Sequence, residues 1–149
     1  MKHYSTKTYG HERGLSCVFR QPNATHSHCS LLHGYSLGFS FKFGCDMLDD
    51  KNWVVDFGGL KKLKDWLEDN FDHTIVADNK DPHLKDLFEL QEKGIAKVVV
   101  LPGVGCEKFA EEAFWVADSI VKELTSGRCY CVSCEVREHG ANSAIYERE

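Results

Sequence analysis

The clearest pattern in the sequence is a strict alternation of apolar and other residues over positions 34–43. The apolar positions of this segment are Tyr35, Leu37, Phe39, Phe41 and Phe43. A period of two places every second side chain on the same face of a strand. The segment therefore predicts a long strand with one buried face.

Four further segments have the composition of strands. Residues 7–20 carry Leu15, Cys17 and Phe19 in the same phase, and residues 95–101 form a valine-rich run that is closed by Pro102 and Gly103. Residues 129–137 and 144–147 predict two strands at the end of the chain.

Apolar residues at three- and four-residue spacing predict helices between these strands. The first helix covers residues 59–70, with Asp56 where an N-cap belongs. A weaker helix covers 82–93 and stops at Gly94, and the last covers 107–125 and is ended by Gly127. Strands, then helices, then strands predict an α+β fold, with an antiparallel sheet and two main helices packed on one face.

Length and charge narrow the class of protein. With 149 residues, the chain predicts a single domain over 1–149. A net charge of −5 argues against a general nucleic-acid binder, which needs a basic face. No apolar run approaches the roughly 18 residues of a membrane span, and residues 1–10 do not resemble a signal peptide. We expect a cytoplasmic protein with no membrane partner, whose seven cysteines are free thiols.

Histidines cluster before the long strand. His26, His28 and His33 surround Cys29 at spacings that suit zinc, which binds imidazole nitrogen and thiolate sulfur. The alternative is a polar loop with surface histidines.

Two acidic positions are candidates for chemistry. Asp72 stands beside His73 and can orient its imidazole for proton transfer, although a helix-end histidine near the dipole is the alternative. Glu138 follows Cys134 and Val136 in strand phase, where its carboxylate can anchor an aminopyrimidinone or simply reach water.

The cysteines of the 129–134 segment suggest a metal site only at first sight. Cys131 and Cys134 are three residues apart on a predicted strand, so their side chains should point to opposite faces. Two side chains on opposite faces of a strand cannot coordinate the same ion. We therefore exclude this site.

Five segments resemble, in order, the motifs of the 6-pyruvoyltetrahydropterin synthase superfamily, which includes the 6-carboxytetrahydropterin synthases. They are Cys-x-x-x-His-Gly-Tyr at 29–35, Val-Asp-Phe-Gly-Gly-Leu-Lys at 55–61, Phe-Asp-His at 71–73, Cys-Glu-Lys-Phe-Ala at 106–110 and Val-Arg-Glu at 136–138. The resemblance covers nearly the whole chain. It implies the tunnelling fold, an antiparallel sheet with two helices on one face.

The resemblance also implies a lyase. Cys29 would be the catalytic thiol, Asp72 and His73 a proton relay, and Glu138 the residue that holds the pterin ring. The substrate would be 7,8-dihydroneopterin triphosphate, and the bacterial branch yields 6-carboxytetrahydropterin for queuosine and deazapurine synthesis. Family members are homohexamers with active sites between subunits. The alternatives are 6-pyruvoyl product formation, a pterin or purine binder without turnover, and a structural protein.

The metal positions depart from the family pattern. Of the family's three zinc histidines only His33 is retained, because Tyr35 and Phe19 occupy the other two positions. We hypothesise that zinc remains, held by His33 and His28 with His26 as a further ligand. The segment 79–105 is longer than the family core requires, and we expect it to thicken a subunit contact.

Overall fold

A computed structural model describes residues 1–149. The strands are β1 His3–Tyr9, β2 Leu15–Phe19, β3 His33–Cys45, β4 Thr74–Asp78, β5 Val98–Leu101, β6 Tyr130–His139 and β7 Asn142–Glu147. The α-helices are α1 Lys61–Phe71, α2 Leu84–Glu92 and α3 Cys106–Leu124. None of these helices combines the length and the apolar character that a membrane crossing requires.

The seven strands form one sheet in the order β5-β4-β2-β3-β6-β7, and β1 also pairs with β3. The long strand β3 pairs with β2 along residues 33–37 and with β1 along residues 39–45. The predicted α+β class is confirmed. The sheet is mixed, however, because β4 runs parallel to both β2 and β5. The helix α2 makes the crossover that a parallel β4–β5 pair needs.

Several element boundaries differ from the predicted ones. The predicted strand 7–20 is two strands, separated by a short turn at His11–Arg13 and by Gly14, whose φ of 69° suits a residue without a Cβ. The strand β4 was not predicted. Asp56 caps the short turn Phe57–Gly59 ahead of α1, and its Oδ1 accepts a hydrogen bond from the Gly58 amide at 2.9 Å.

The helices α1 and α3 pack on one face of the sheet, as predicted, around a set of aromatic rings. The ring of Phe71 at the end of α1 lies 5.0 Å from that of Phe39 on β3 and 5.1 Å from that of Phe109 on α3. All three side chains are fully buried. A second, smaller cluster of Ala77, Leu87 and Val98 holds α2 against β4 and β5.

A bulge in β6 overturns the prediction for its cysteines. Cys131 pairs with Phe43 and Ser133 pairs with Lys42, which leaves Val132 as an extra residue. An extra residue reverses the alternation of faces, so Cys131 and Cys134 both point into the core and are fully buried. The prediction that they face opposite sides was wrong.

Candidate active site

The loop between β2 and β3 presents one thiol to solvent. A short turn at His28–Ser30 begins at Ser27, whose Oγ accepts a hydrogen bond from the Cys29 amide at 3.1 Å. Cys29 is exposed, whereas the other six cysteines are buried, and all seven are free. The predicted free thiols are thus present, and Cys29 is the accessible one, as a reactive cysteine must be.

Three rings stand side by side where β2 meets β3. Phe19 pairs with His33 in the strand ladder, and Cys17 pairs with Tyr35. The Tyr35 hydroxyl lies 3.1 Å from Nε2 of His33, and the Tyr35 ring stacks on that of Phe19 with 4.8 Å between centroids. Aromatic side chains therefore fill the space beside His33.

Cys29 and Glu138 converge on Tyr35. The pKa of Tyr35 is raised to about 12, mainly by burial and then by the nearby Glu138 carboxylate and the Cys29 thiol. Burial, followed by the Glu138 carboxylate, also raises the pKa of Cys106 to about 12. Cys29, Cys106 and Glu138 thus all influence the pKa of Tyr35, although they come from a loop, a helix and a strand.

Glu138 lies at a second irregularity of β6. Beyond the bulge at Val132, Cys134 and Val136 are fully buried, and the half-buried Glu138 is the extra residue where the pairing with β7 shifts between Arg137 and His139. None of the ion pairs of the chain involves its carboxylate. This carboxylate is available to a ligand.

Asp72 and His73 form a separate group. Asp72 Oδ1 lies 2.7 Å from Nδ1 of His73, whose side chain is 87% exposed. The backbone of His73 has a φ of 52°, a left-handed conformation that is strained for a residue with a Cβ and is often retained at functional sites. Neither residue is hydrogen-bonded to Cys29 or Glu138. Within one chain, the pair faces solvent.

The structure does not assemble the predicted zinc ligands. His26 and His28 lie exposed on the loop, while His33 is engaged by Tyr35. No group of three or more His, Cys, Asp or Glu residues in the chain is placed to hold a metal ion. Cys17, which pairs with Tyr35 in the β2–β3 ladder, is buried, and this burial raises the pKa of its thiol to about 12. The residues present therefore do not fit the family's zinc ion.

The largest cavity of the chain lies elsewhere. It encloses about 460 Å³ and is lined mainly by residues of β1 and by residues 52–57. None of the candidate site residues lines it. The group around Tyr35 lies outside this cavity.

The sequence analysis had proposed Cys29, Asp72, His73 and Glu138 as site residues. It gave no role to Cys106. The available signal was its place at the start of the 106–110 segment, where it is the first residue of α3. It also gave no role to Arg20 and Gln21, which follow β2.

A family model described as 6-pyruvoyl tetrahydropterin synthase matches residues 9–149. The chain belongs to this family. It is 33% identical over 132 residues to a 6-carboxy-5,6,7,8-tetrahydropterin synthase from Bacillus subtilis, covering 89% of this chain and 79% of that protein. It is 27% identical over 146 residues to the protein of the same name from Aquifex aeolicus, covering 95% and 86%.

Solved structures agree with this membership at the level of the fold. An uncharacterized protein from Wolinella succinogenes superposes with a TM-score of 0.80 at 17% identity, covering 100% of this chain and 99% of that one. The 6-pyruvoyl tetrahydropterin synthase of Plasmodium falciparum gives 0.70 at 15% identity, covering 99% and 98%. The tunnelling fold that the sequence predicted is thereby confirmed.

Proposed function

We propose that this chain is a 6-carboxy-5,6,7,8-tetrahydropterin synthase, a lyase that acts on 7,8-dihydroneopterin triphosphate. The proposal rests on the exposed Cys29 thiol and on the Glu138 carboxylate, both of which raise the pKa of the nearby Tyr35 hydroxyl. The similarity to the Bacillus subtilis protein of that name supports the choice of product.

Glu138 would hold the pterin ring. An aminopyrimidinone presents two parallel N–H donors, and an ionised carboxylate accepts both in a bidentate, charge-assisted pair. Because Glu138 has no ion-pair partner, its carboxylate can receive the ring without breaking a salt bridge.

Proton transfer would fall to the thiol and the imidazole. Cys29 is exposed beside the bound ring and would exchange a proton with the carbon atoms of the substrate side chain. Asp72 would hold Nδ1 of His73, so that Nε2 remains the atom that exchanges protons. Together these groups would release triphosphate, and cleavage of the carbon–carbon bond with uptake of one water molecule would then yield 6-carboxytetrahydropterin and acetaldehyde.

The exposed Asp72–His73 pair supports a shared active site. In a hexamer of two trimeric rings, this pair would complete the Cys29–Glu138 group of a neighbouring protomer. The chain would work as one domain on a small pterin, with neither a nucleic acid nor a membrane as partner. We place it in the cytoplasm, in queuosine or deazapurine synthesis.

No step of this scheme passes through a metal ion. In the family, zinc would polarise the hydroxyl groups of the substrate side chain. The ligand set His33, His28 and His26 is not assembled here, and Phe19 and Tyr35 occupy the other two family positions. This departure favours the second candidate, a pterin-binding homologue without turnover.

One experiment separates these functions. The purified chain is incubated with 7,8-dihydroneopterin triphosphate, and triphosphate, acetaldehyde and the pterin product are followed by liquid chromatography and mass spectrometry. We expect 6-carboxytetrahydropterin and acetaldehyde from the native chain and neither from Cys29→Ala. Release of triphosphate with a 6-pyruvoyl product assigns the other synthase activity. Tight pterin binding without any release of triphosphate assigns a binder.

A further inference from the structure

Both ends of the segment 79–105 lie against the end of β2. Arg20 and Gln21 are the first two residues after that strand. Arg20 Nη1 donates a hydrogen bond to Asp81 Oδ1 at 2.7 Å, near the start of the segment. Gln21 Nε2 donates to the Val104 carbonyl at 2.8 Å, near its end. Arg20 and Gln21 thus hydrogen-bond to both ends of the segment 79–105, whose purpose the family resemblance does not explain.

The same two residues hold the turn that carries the exposed thiol. The Gln21 amide donates a hydrogen bond to the Cys29 carbonyl at 2.7 Å. Arg20 Nε donates to the carbonyl of the next residue, Ser30, also at 2.7 Å. Arg20 and Gln21 each make one bond to the segment 79–105 and one to the Cys29 turn.

The burial of Asp81 makes this arrangement hard to loosen. Its side chain is 1% exposed and that of Arg20 is 17% exposed. Asp81 Oδ1 also accepts a hydrogen bond from the His83 amide at 2.9 Å, while Oδ2 is buried without a partner. A buried carboxylate is costly without its counter-charge, so Arg20 cannot swing away freely. The planar guanidinium also fixes the direction of its two bonds.

Gly105 allows the close approach of Gln21. A Cβ at this position would lie 2.5 Å from Nε2 of Gln21, and the backbone φ of 110° is itself unsuited to other residues. Gly105 directly precedes Cys106, which lies beside Glu138. The end of the segment 79–105 therefore reaches the candidate active site from a second side.

We propose that Arg20 and Asp81 are positioning residues, and that the segment 79–105 serves as a brace that holds the Cys29 thiol in place for catalysis. The proposal rests on the proposed function only in giving Cys29 a chemical role. The brace acts through the Cys29 and Ser30 carbonyls and contacts no substrate.

The test uses Asp81→Asn, which removes the charge with little change in shape, and Arg20→Gln, which removes the charge and shortens the side chain. Backbone amide hydrogen exchange is measured by mass spectrometry for peptides that cover residues 20–32. We expect that region to exchange at least about tenfold faster in either variant, because local opening exposes its hydrogen bonds. The peptides that cover β6 should be unchanged.

Turnover supplies the second readout. A misplaced thiol should lower kcat by about 10- to 100-fold while KM changes little, because substrate is held elsewhere. The double variant should be no worse than Arg20→Gln alone, since that variant has already lost the contact with Asp81. Asp65→Asn is the matched control, because Asp65 pairs with Lys61 at 2.8 Å on the exposed side of α1. It should leave both readouts unchanged.

The outcomes are distinct. Unchanged exchange over residues 20–32 in folded variants overturns the brace, as does unchanged kcat in a chain that Cys29→Ala inactivates. If the native chain shows no turnover, the proposed function fails, while hydrogen exchange still decides the brace. Should Asp81→Asn not fold, Arg20→Lys serves instead, because it keeps the ion pair but cannot also reach the Ser30 carbonyl. We expect that variant to fold and to show the same faster exchange.

Discussion

The Tyr35 hydroxyl lies 3.1 Å from Nε2 of His33, and the Tyr35 ring stacks on Phe19. In the family pattern these three positions are the zinc histidines. Here two of them are aromatic residues that pack on each other, and the third is hydrogen-bonded to one of them. Two of the three family positions therefore carry side chains that pack on each other instead of imidazole ligands.

This packing makes a prediction about metal content. We expect the chain, purified without a histidine tag, to hold less than about a tenth of an equivalent of zinc, since a structural or catalytic site needs three or four ligands. The double variant Phe19→His/Tyr35→His should bind about one equivalent, measured by competition with a chromophoric chelator.

The single variant Tyr35→His is the control, because it restores two of the three histidines and should bind zinc more weakly. Stoichiometric zinc in the native chain, lost in His28→Ala, would instead establish the ligand set that the sequence predicted.

A second prediction concerns the sharing of the site between protomers. Cys29→Ala and His73→Ala should each be inactive. If His73 serves the Cys29 of a neighbour, mixing the two variants after dissociation and reassembly should restore part of the activity, because some sites then receive both intact residues. The fraction of activity that is restored should equal the fraction of intact sites expected when the two variants assemble at random.

Cys29→Ala mixed with Glu138→Ala is the matched control. Both residues influence the pKa of Tyr35 in their own chain, so under the proposal one protomer supplies both and no mixed site can contain the two intact groups. We expect no recovery there. Recovery in the control, or none in the first mixture despite proven mixed oligomers, contradicts the arrangement.

A third prediction concerns the pterin anchor. Glu138→Gln replaces a charge-assisted acceptor by a neutral amide and should raise the Kd for 7,8-dihydroneopterin by about 10- to 100-fold, because a hydrogen bond to a charged group contributes about 1.5–3 kcal/mol. Titration followed by pterin fluorescence measures it. Glu135→Gln, on the same strand but paired with Arg137 at 3.3 Å, should leave the Kd unchanged. Equal effects would remove the special role of Glu138.

A fourth prediction concerns stability at alkaline pH. Burial raises the pKa of Cys17 and Cys131 from an ordinary 9.0 to about 12. Between these values the unfolded chain has lost the thiol protons while the folded chain keeps them. The free energy of unfolding must therefore fall as pH rises from 9 towards 12, by up to about 1.4 kcal/mol per pH unit for each such thiol.

Urea unfolding at pH 8, 9 and 10 tests this dependence. Cys17→Ala should lower stability at every pH, because it leaves a cavity, but should flatten the decline. A decline of the same steepness in that variant would show that other groups cause it.

Much of the fold could be read from periodicity. The alternation over 34–43 predicts β3, and the spacing of Leu63, Leu67 and Phe71 predicts the buried face of α1, because one-sided burial imposes a period of two on strands and 3.6 on helices. The family motifs likewise pointed to Cys29, Asp72, His73 and Glu138 before any contact was known.

The tertiary structure decided what depends on register and on contacts between distant segments. The single extra residue Val132 places Cys131 on the core side of β6 together with Cys134. The local sequence contains no pattern that predicts this bulge. The strand β4 was missed because its five residues pair with β2 and β5, which lie far away in the chain. The bonds from Arg20 to Asp81 and Ser30 were invisible for the same reason. Composition and periodicity report which face of a segment is buried, whereas hydrogen bonds across the fold depend on which segments become neighbours.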